Sequence, residues 1–373
     1  MPKKFIILLE DDWEVWGNGL GNVAQLQYLP SLFLMKTLKR LGATMTFMVD
    51  VVHQMRYLEA DIQDKSLQIQ RKLWEENVLL MKDYGFDVQL HLHPQWHNAI
   101  QKGQHFHLNA NWNIGRYSRA EQEIIVGEGI DYLEQLVRQV DPTYKTIAFK
   151  GGSWGLQPSE NLFSILERKG IRIVMGVRNG LKLPISGTDY TDTEETVMPY
   201  YPDYTDIRKI ASEKKGIVII PQPEYSPSLV SMLALGYDLV KQKILRLDDT
   251  AHFYGEPVPL EIRHLSPLMD EKKLQFRSNP YQTHLKVGNQ PYTYLKSSID
   301  AVMGRLKDVP GERIPIILES HTKNFLQHYK PIERFLEYIL QRYGDIAEFG
   351  TLSGFLNELE SNPGMIKIKS GTK

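Results

Sequence analysis

The chain has 373 residues, 42% hydrophobic and 24% charged, with Lys+Arg 44 against Asp+Glu 45 and a formal net charge of −1. The even charge balance excludes a general polyanion binder, and the apolar fraction excludes a disordered chain. With no cysteine there is no disulfide framework, thiolate-held zinc or iron–sulfur site, or thiol nucleophile, and a chain this long can bury about 75% of its unfolded surface without such staples.

Taken in order, residues 5–9 form a first apolar run that ends on Glu10-Asp11-Asp12. Five residues are too few for a signal-peptide core or a membrane span, and no later run approaches about 18 apolar residues. The expectation is a cytoplasmic protein with no membrane span. A helical pattern over 31–41 precedes a strand at 44–49. Further strands are expected at 86–92, 146–149, 171–175, 217–220, 314–318 and 346–349. Helical periods cover 70–84, 119–140, 159–169, 229–247, 294–306 and 331–343. Gly42, Gly85, Gly170 and Gly344 stand at helix-stop positions, and Pro158 and Pro331 where a first turn begins. Strand–helix alternation of this kind predicts parallel βαβ units, hence a barrel or a doubly wound sheet. Two stretches break the rhythm, 181–215 and 221–290, and read as long loop insertions that shape a site. With no clear linker or internal repeat, residues 1–373 are expected to form one elaborated domain.

Function in such folds gathers at the carboxyl ends of the strands. The first strand is followed by Glu10-Asp11-Asp12-Trp13 and the third by His91-Leu92-His93-Pro94-Gln95-Trp96-His97. The fourth is followed by Lys150-Gly151-Gly152-Ser153-Trp154, and the seventh by Glu319-Ser320-His321-Thr322-Lys323-Asn324. Acids, imidazoles and a cation thus recur at four corresponding strand ends. His91 and His93 alternate with Leu90 and Leu92, so both rings share a strand face, whereas His93 and His97 are one helical turn apart. Either pair can clasp one ion. With a carboxylate they suit Zn²⁺, or another first-row divalent ion, with open positions for water and substrate.

Neighbouring side chains at an extended chain end diverge, so one of Asp11 and Asp12 can hold the metal while the other serves as a general base. His321 offers the complementary acid. Lys150 can keep Asp11 ionised, and Gly151-Gly152 lets backbone come close to another group. Trp13, Trp96 and Trp154 fit a sugar-stacking pocket and fit a buried aromatic core nearly as well.

These motifs resemble the polysaccharide deacetylase (NodB-homology) family of carbohydrate esterases. The resemblance implies an α/β fold, a distorted (β/α)7-8 barrel, with Asp11 as base and Asp12 as metal ligand. Two of His91, His93 and His97 would complete the ligand set, with His91 and His93 ahead on strand register. Lys150 stands where the family has a base-orienting Arg, and Leu318-Glu319-Ser320-His321 is similar to the family's final motif, whose histidine acts as acid. Asp203 or Asp206 would support that histidine. The implied activity is removal of an N-acetyl group from a sugar, with Zn²⁺, Co²⁺ or Ni²⁺ as cofactor and a saccharide or small amide as partner. The same site acting on a small non-sugar C–N bond, or a catalytically silent glycan-binding relative, are the alternatives. Oligomeric state is not readable from the residues.

Overall fold

The computed structural model describes residues 3–369 except 20, 60–63, 103–104, 195, 289, 326–328 and nearly all of 225–283. The helix expected over 229–247 lies outside the described residues. In chain order the elements open with β1 (Lys4–Trp13), α1 (Leu29–Leu41), β2 (Thr46–Asp50), α2 (Val52–Glu59), α3 (Lys65–Asp83) and β3 (Asp87–Leu92). A ribbon of β4 (Ile100–Lys102) and β5 (His105–His107) follows, then α4 (Arg119–Val137), β6 (Ala148–Gly151), α5 (Glu160–Arg168) and β7 (Ile173–Met175). A second ribbon, β8 (Lys182–Leu183) and β9 (Thr188–Asp189), precedes β10 (Val218–Ile219) and β11 (Lys286–Val287). The described chain closes with α6 (Tyr292–Leu306), β12 (Arg313–Ser320), α7 (Tyr329–Tyr343), β13 (Ala347–Gly350) and α8 (Leu352–Ser361). Among the described residues no helix is long and apolar enough to cross a membrane.

Among the described residues nine strands form one parallel sheet in the order β10-β7-β6-β3-β2-β1-β12-β11, with β13 also on β1. All eight expected strands are present, and β11 is an addition from the tract read as irregular. One edge of β1 pairs with β12 from Lys4 to Asp11. The other edge is shared, with β13 along Phe5–Leu8 and β2 along Glu10–Trp13. A strand whose two halves take different neighbours forces the sheet to splay and curl into a half-barrel.

The period of two then sorts the side chains. On the outer face Phe5, Ile7, Leu9 and Trp13 of β1 join Phe47, Val49, Leu90 and Leu92 beneath the helices. On the inner face Ile6, Leu8, Met48, Ala148, Ile173 and Ile317 pack on Leu352, Phe355 and Leu359 of α8. Helix α8 thus plugs the amino-terminal end of the half-barrel. It is tied there by buried polar groups: Thr46 Oγ1 accepts from Leu352 N at 2.9 Å, and Asp87 Oδ2 accepts from Ser353 N at 3.0 Å. Continuing the same inner rows toward the carboxyl ends replaces the apolar residues with Glu10, Asp12, His91, Lys150 and Glu319.

Candidate metal centre

Strand β1 does not end at Leu9. It runs on through the acidic residues to Trp13, so strict alternation governs them. Glu10 and Asp12 face inward, and Glu14 just beyond the strand joins them. Asp11 faces the other way, where it pairs with Ser320 across the ladder. Its carboxylate accepts from the Ser320 hydroxyl, from Thr322 N at 2.8 Å and from Thr322 Oγ1 at 3.1 Å. Burial pushes the Asp11 pKa up to about 7, despite these donors.

At the inner face Lys150 Nζ stands 2.7 Å from Asp12 Oδ1, 2.8 Å from Glu10 Oε1 and 3.3 Å from Glu319 Oε2. Burial alone would lower the lysine pKa, but Asp12, Glu10 and Glu319 hold it well above the ordinary value. Asp12 outlasts its own burial and stays ionised through Lys150, His91 and His321. Burial raises the Glu10 pKa well above the usual carboxylate value, with repulsion from Asp12 and Glu319 adding to it and Lys150 opposing it.

His91 and His93 emerge from β3 on one face, as their alternation predicts, with ring centroids 4.9 Å apart. Each has its Nδ1 engaged: His91 Nδ1 lies 2.9 Å from Lys150 O, and His93 Nδ1 lies 2.7 Å from Gln95 Nε2. Both Nε2 atoms are thereby aimed at Glu14 Oε2, that of His91 at 3.4 Å and that of His93 in direct contact. The carbonyl on its Nδ1 fixes the His91 proton there and presents Nε2, the orientation of metal-binding imidazoles. Glu14, His91 and His93 keep their ligand atoms within 4.8 Å of one another, a donor set that fits Zn²⁺ or a similar ion. Burial would raise the Glu14 pKa, yet His93 and Lys323 hold it well below the usual range. The close approach expected at Gly151-Gly152 is real: a Cβ on Gly152 would stand 2.7 Å from His93 Nδ1.

His321 completes the group. Its Nε2 is 3.2 Å from Asp12 Oδ2, and its Nδ1 is 3.4 Å from Glu319 Oε1. Burial and Lys286 push its pKa down to about 4, so the ring is neutral near pH 7. Glu319 also meets Lys286 at 3.1 Å, Gln222 at 3.1 Å and His284 at 3.4 Å. Asp203 and Asp206, expected to support the histidine, instead cap a turn with Thr205 and Arg208. Glu319 takes the supporting position.

The sheet order, the plugged base and the charged carboxyl end invite comparison with solved structures. The chain is similar to a structure named as a polysaccharide deacetylase from Mycobacterium smegmatis, with a TM-score of 0.53 at 10% identity, covering 100% of this chain and 95% of that one. The chain has the fold of the polysaccharide deacetylases. Two further structures align less closely. One is named as a polysaccharide deacetylase from Pseudomonas aeruginosa PAO1 (TM-score 0.48, 12% identity, covering 96% of this chain and 92% of that one). The other is the Puue allantoinase (TM-score 0.47, 10% identity, covering 96% and 91%). No protein-family model matches the sequence, and a search of curated proteins finds no significant match.

Of the residues expected from sequence, Asp12, His91, His93, Lys150 and His321 are brought together at the inner face. Asp11 and Trp13 are not, because alternation turns them outward; Trp13 packs 5.6 Å from Trp74 in the core. Trp96 is buried against His53, Tyr57 and Phe106. His97 leaves the strand line after Pro94–Trp96 turns the chain, and its ring packs on Tyr117. Trp154 is half-buried and borders the site, 6.2 Å from His284. It and Ser153 adopt φ of 52°, an uncommon conformation for non-glycine residues. The turn is tied down by Tyr190 Oη donating to Trp154 O at 2.8 Å. Glu10, Glu319 and Lys323 lie in the strand-end segments without a role read from sequence, and Glu14 lies just past the first of those segments. The i, i+2 spacing of Glu10, Asp12 and Glu14 was the signal available for three inward acids.

Proposed function

We propose that this chain is a metal-dependent hydrolase of linear C–N bonds whose substrate is an N-acetylated saccharide. The observation that carries the reading is the convergence of Glu14, His91 and His93 beside the Asp12–His321 pair. Zn²⁺ is the expected ion, with Co²⁺ and Ni²⁺ acceptable to the same donors. When bound, such an ion polarises the acetyl carbonyl and lowers the pKa of a water molecule.

The roles follow from which way each side chain faces. Resemblance alone maps the base to Asp11 and the ligand to Asp12, while the inward row of β1 favours Asp12 as base and Glu14 as ligand. Asp12, ionised and braced by Lys150, accepts a proton from the attacking water. His321 is neutral and lies 3.2 Å from Asp12 Oδ2, so it receives that proton and delivers it to the departing amine. Glu319 orients the ring from its Nδ1 side. The amide C–N bond breaks to give acetate and the free amine. Trp154 is the sugar-facing aromatic in this reading.

A second reading keeps the machinery and replaces the sugar with a compact non-sugar amide. It is favoured by enclosure: Asp12 and His93 are each 4% exposed and His321 6%, and Trp13 and Trp96 are spent in the core. Incubating metal-loaded protein with N-acetylated sugars and small amides, and assaying acetate, formate and ammonia, separates the two. Acetate from a sugar supports the first reading, and ammonia or formate from a small amide the second. Release of none, in protein that carries no metal, would sink both and leave the glycan-binding alternative.

A further inference from the structure

Two donor groups stand side by side at the inner rim. Besides Glu14, His91 and His93, the atoms of Asp12, Glu319 and His321 also lie within 4.8 Å of one another. The groups adjoin, because His321 Nε2 is 3.2 Å from Asp12 Oδ2 and 3.6 Å from Glu14 Oε1. Adjacent carboxylate and imidazole clusters of this kind are the raw material of a two-ion centre.

The groups differ in what already sits among their donors. Around Glu14 Oε2 two imidazole nitrogens converge, and the ammonium of Lys323 contacts the other oxygen, Oε1. In the second group a fixed cation bridges the two carboxylates, on Asp12 Oδ1 and Glu319 Oε2. Lys150 reaches in from β6 and sets Nζ between Asp12 and Glu319, with Glu10 as a third carboxylate. The lysine is 2% exposed, and withdrawing its ammonium would take a buried counter-charge from Glu10, Asp12 and Glu319 together.

We infer that the centre takes a single divalent ion, at Glu14, His91 and His93, and that Lys150 occupies the second position as a tethered cation that keeps metal out. The inference rests on the metal reading above. It gives Glu10 a purpose: with Asp12 and Glu319 it makes a seat for an ammonium, which a two-acid pocket would hold less firmly. Without the ammonium, the oxygen and imidazole donors of Asp12, Glu319 and His321 form a set that suits a first-row divalent ion.

The test counts metal. Metal-free full-length protein is titrated with Co²⁺, followed by its visible absorption and by elemental analysis after gel filtration. Wild type and Lys150→Arg should take one equivalent, and Lys150→Met, which keeps length and loses charge, should take two. Because Lys150→Met can fail to fold with unpaired carboxylates, Glu10→Gln combined with Lys150→Met removes one of them and keeps all three donors of the second group. Two equivalents on wild type would overturn the inference whether or not the variants fold. One equivalent on either folded neutral variant would overturn it too. No Co²⁺ on wild type would reject the metal reading itself.

Discussion

Replacing Glu14 with Gln tests the site where structure and sequence assign the ligand differently. The substitution keeps shape but removes the charge facing His91 and His93. At free metal about 100 times the dissociation constant, a bound ion stabilises the folded chain by about 2.7 kcal/mol. Loss of an outer-shell partner weakens metal binding about 10–100-fold, so about 100-fold is a modest expectation for a direct ligand. At the same free metal the variant would retain about 0.4 kcal/mol, a deficit of about 2.3 kcal/mol. Unfolding entropy of about 2.1 cal/mol/K per residue gives about 0.8 kcal/mol/K for 373 residues, so the metal-induced rise in Tm should shrink by about 3 °C. Calorimetry of EDTA-treated protein, with and without Zn²⁺, reads this directly. Asp11→Asn run alongside should keep the full rise. A full rise in Glu14→Gln, or its loss in Asp11→Asn, would refute the assignment of inward and outward acids on β1.

Further outcomes follow from the same geometry. Asp11 has its pKa raised from 3.8 to about 7 by burial, so the folded state holds its proton more tightly than the unfolded one. Its contribution is fully present below pH 3.8 and is lost as pH rises through 7, by up to about 4 kcal/mol. Asp11→Asn should therefore gain on wild type as pH climbs from 4 to 7 in thermal melts, and a constant difference would contradict this. Glu319→Gln should lower kcat with metal content unchanged, and Glu319→Asp should restore part of it; equal kcat in all three proteins would exclude the orienting role. Trp154→Ala should raise KM about 10-fold with little change in Tm. Trp13→Ala should instead cost about 3–5 kcal/mol in stability. A KM effect from Trp13 alone would reverse their placement.

Most of the scaffold was legible because its strands are apolar runs closed by turn residues. Gly42, with φ of 65°, ends α1 as expected. The misreadings have local physical causes. Helix α2 spells Val-His-Gln-Met-Arg-Tyr-Leu-Glu and shows little apolar rhythm, since it buries His53 and Gln54 along with Val52 and Tyr57. Helix α8 did carry a signal, with Leu352, Phe355 and Leu359 on one face behind a Thr351 cap. Strand β11 has only two residues, too few for any pattern. The end of β1 was unreadable for a different reason. Charged residues continue a strand only where other strands supply their counter-charges, and Lys150, His321 and Lys323 are more than 130 positions away in the chain.

That dependence separates which residues gather at the strand ends from which way each of them faces. Strand-end position predicts which residues gather, because parallel strands in one sheet bring their carboxyl ends together. Role depends on face, and face depends on whether the strand has already ended. Had β1 stopped at Leu9, Asp11 and Asp12 could both have turned toward the inner face. Because β12 pairs with it as far as Asp11 and β2 as far as Trp13, alternation persists, and every second acid is sent inward. The hydroxyl and amide donors of Ser320 and Thr322 then stabilise the one acid sent outward. Any chain with this fold and acids at i, i+2 and i+4 on its first strand should build its centre from that row, with the intervening acid serving the packing between β1 and β12.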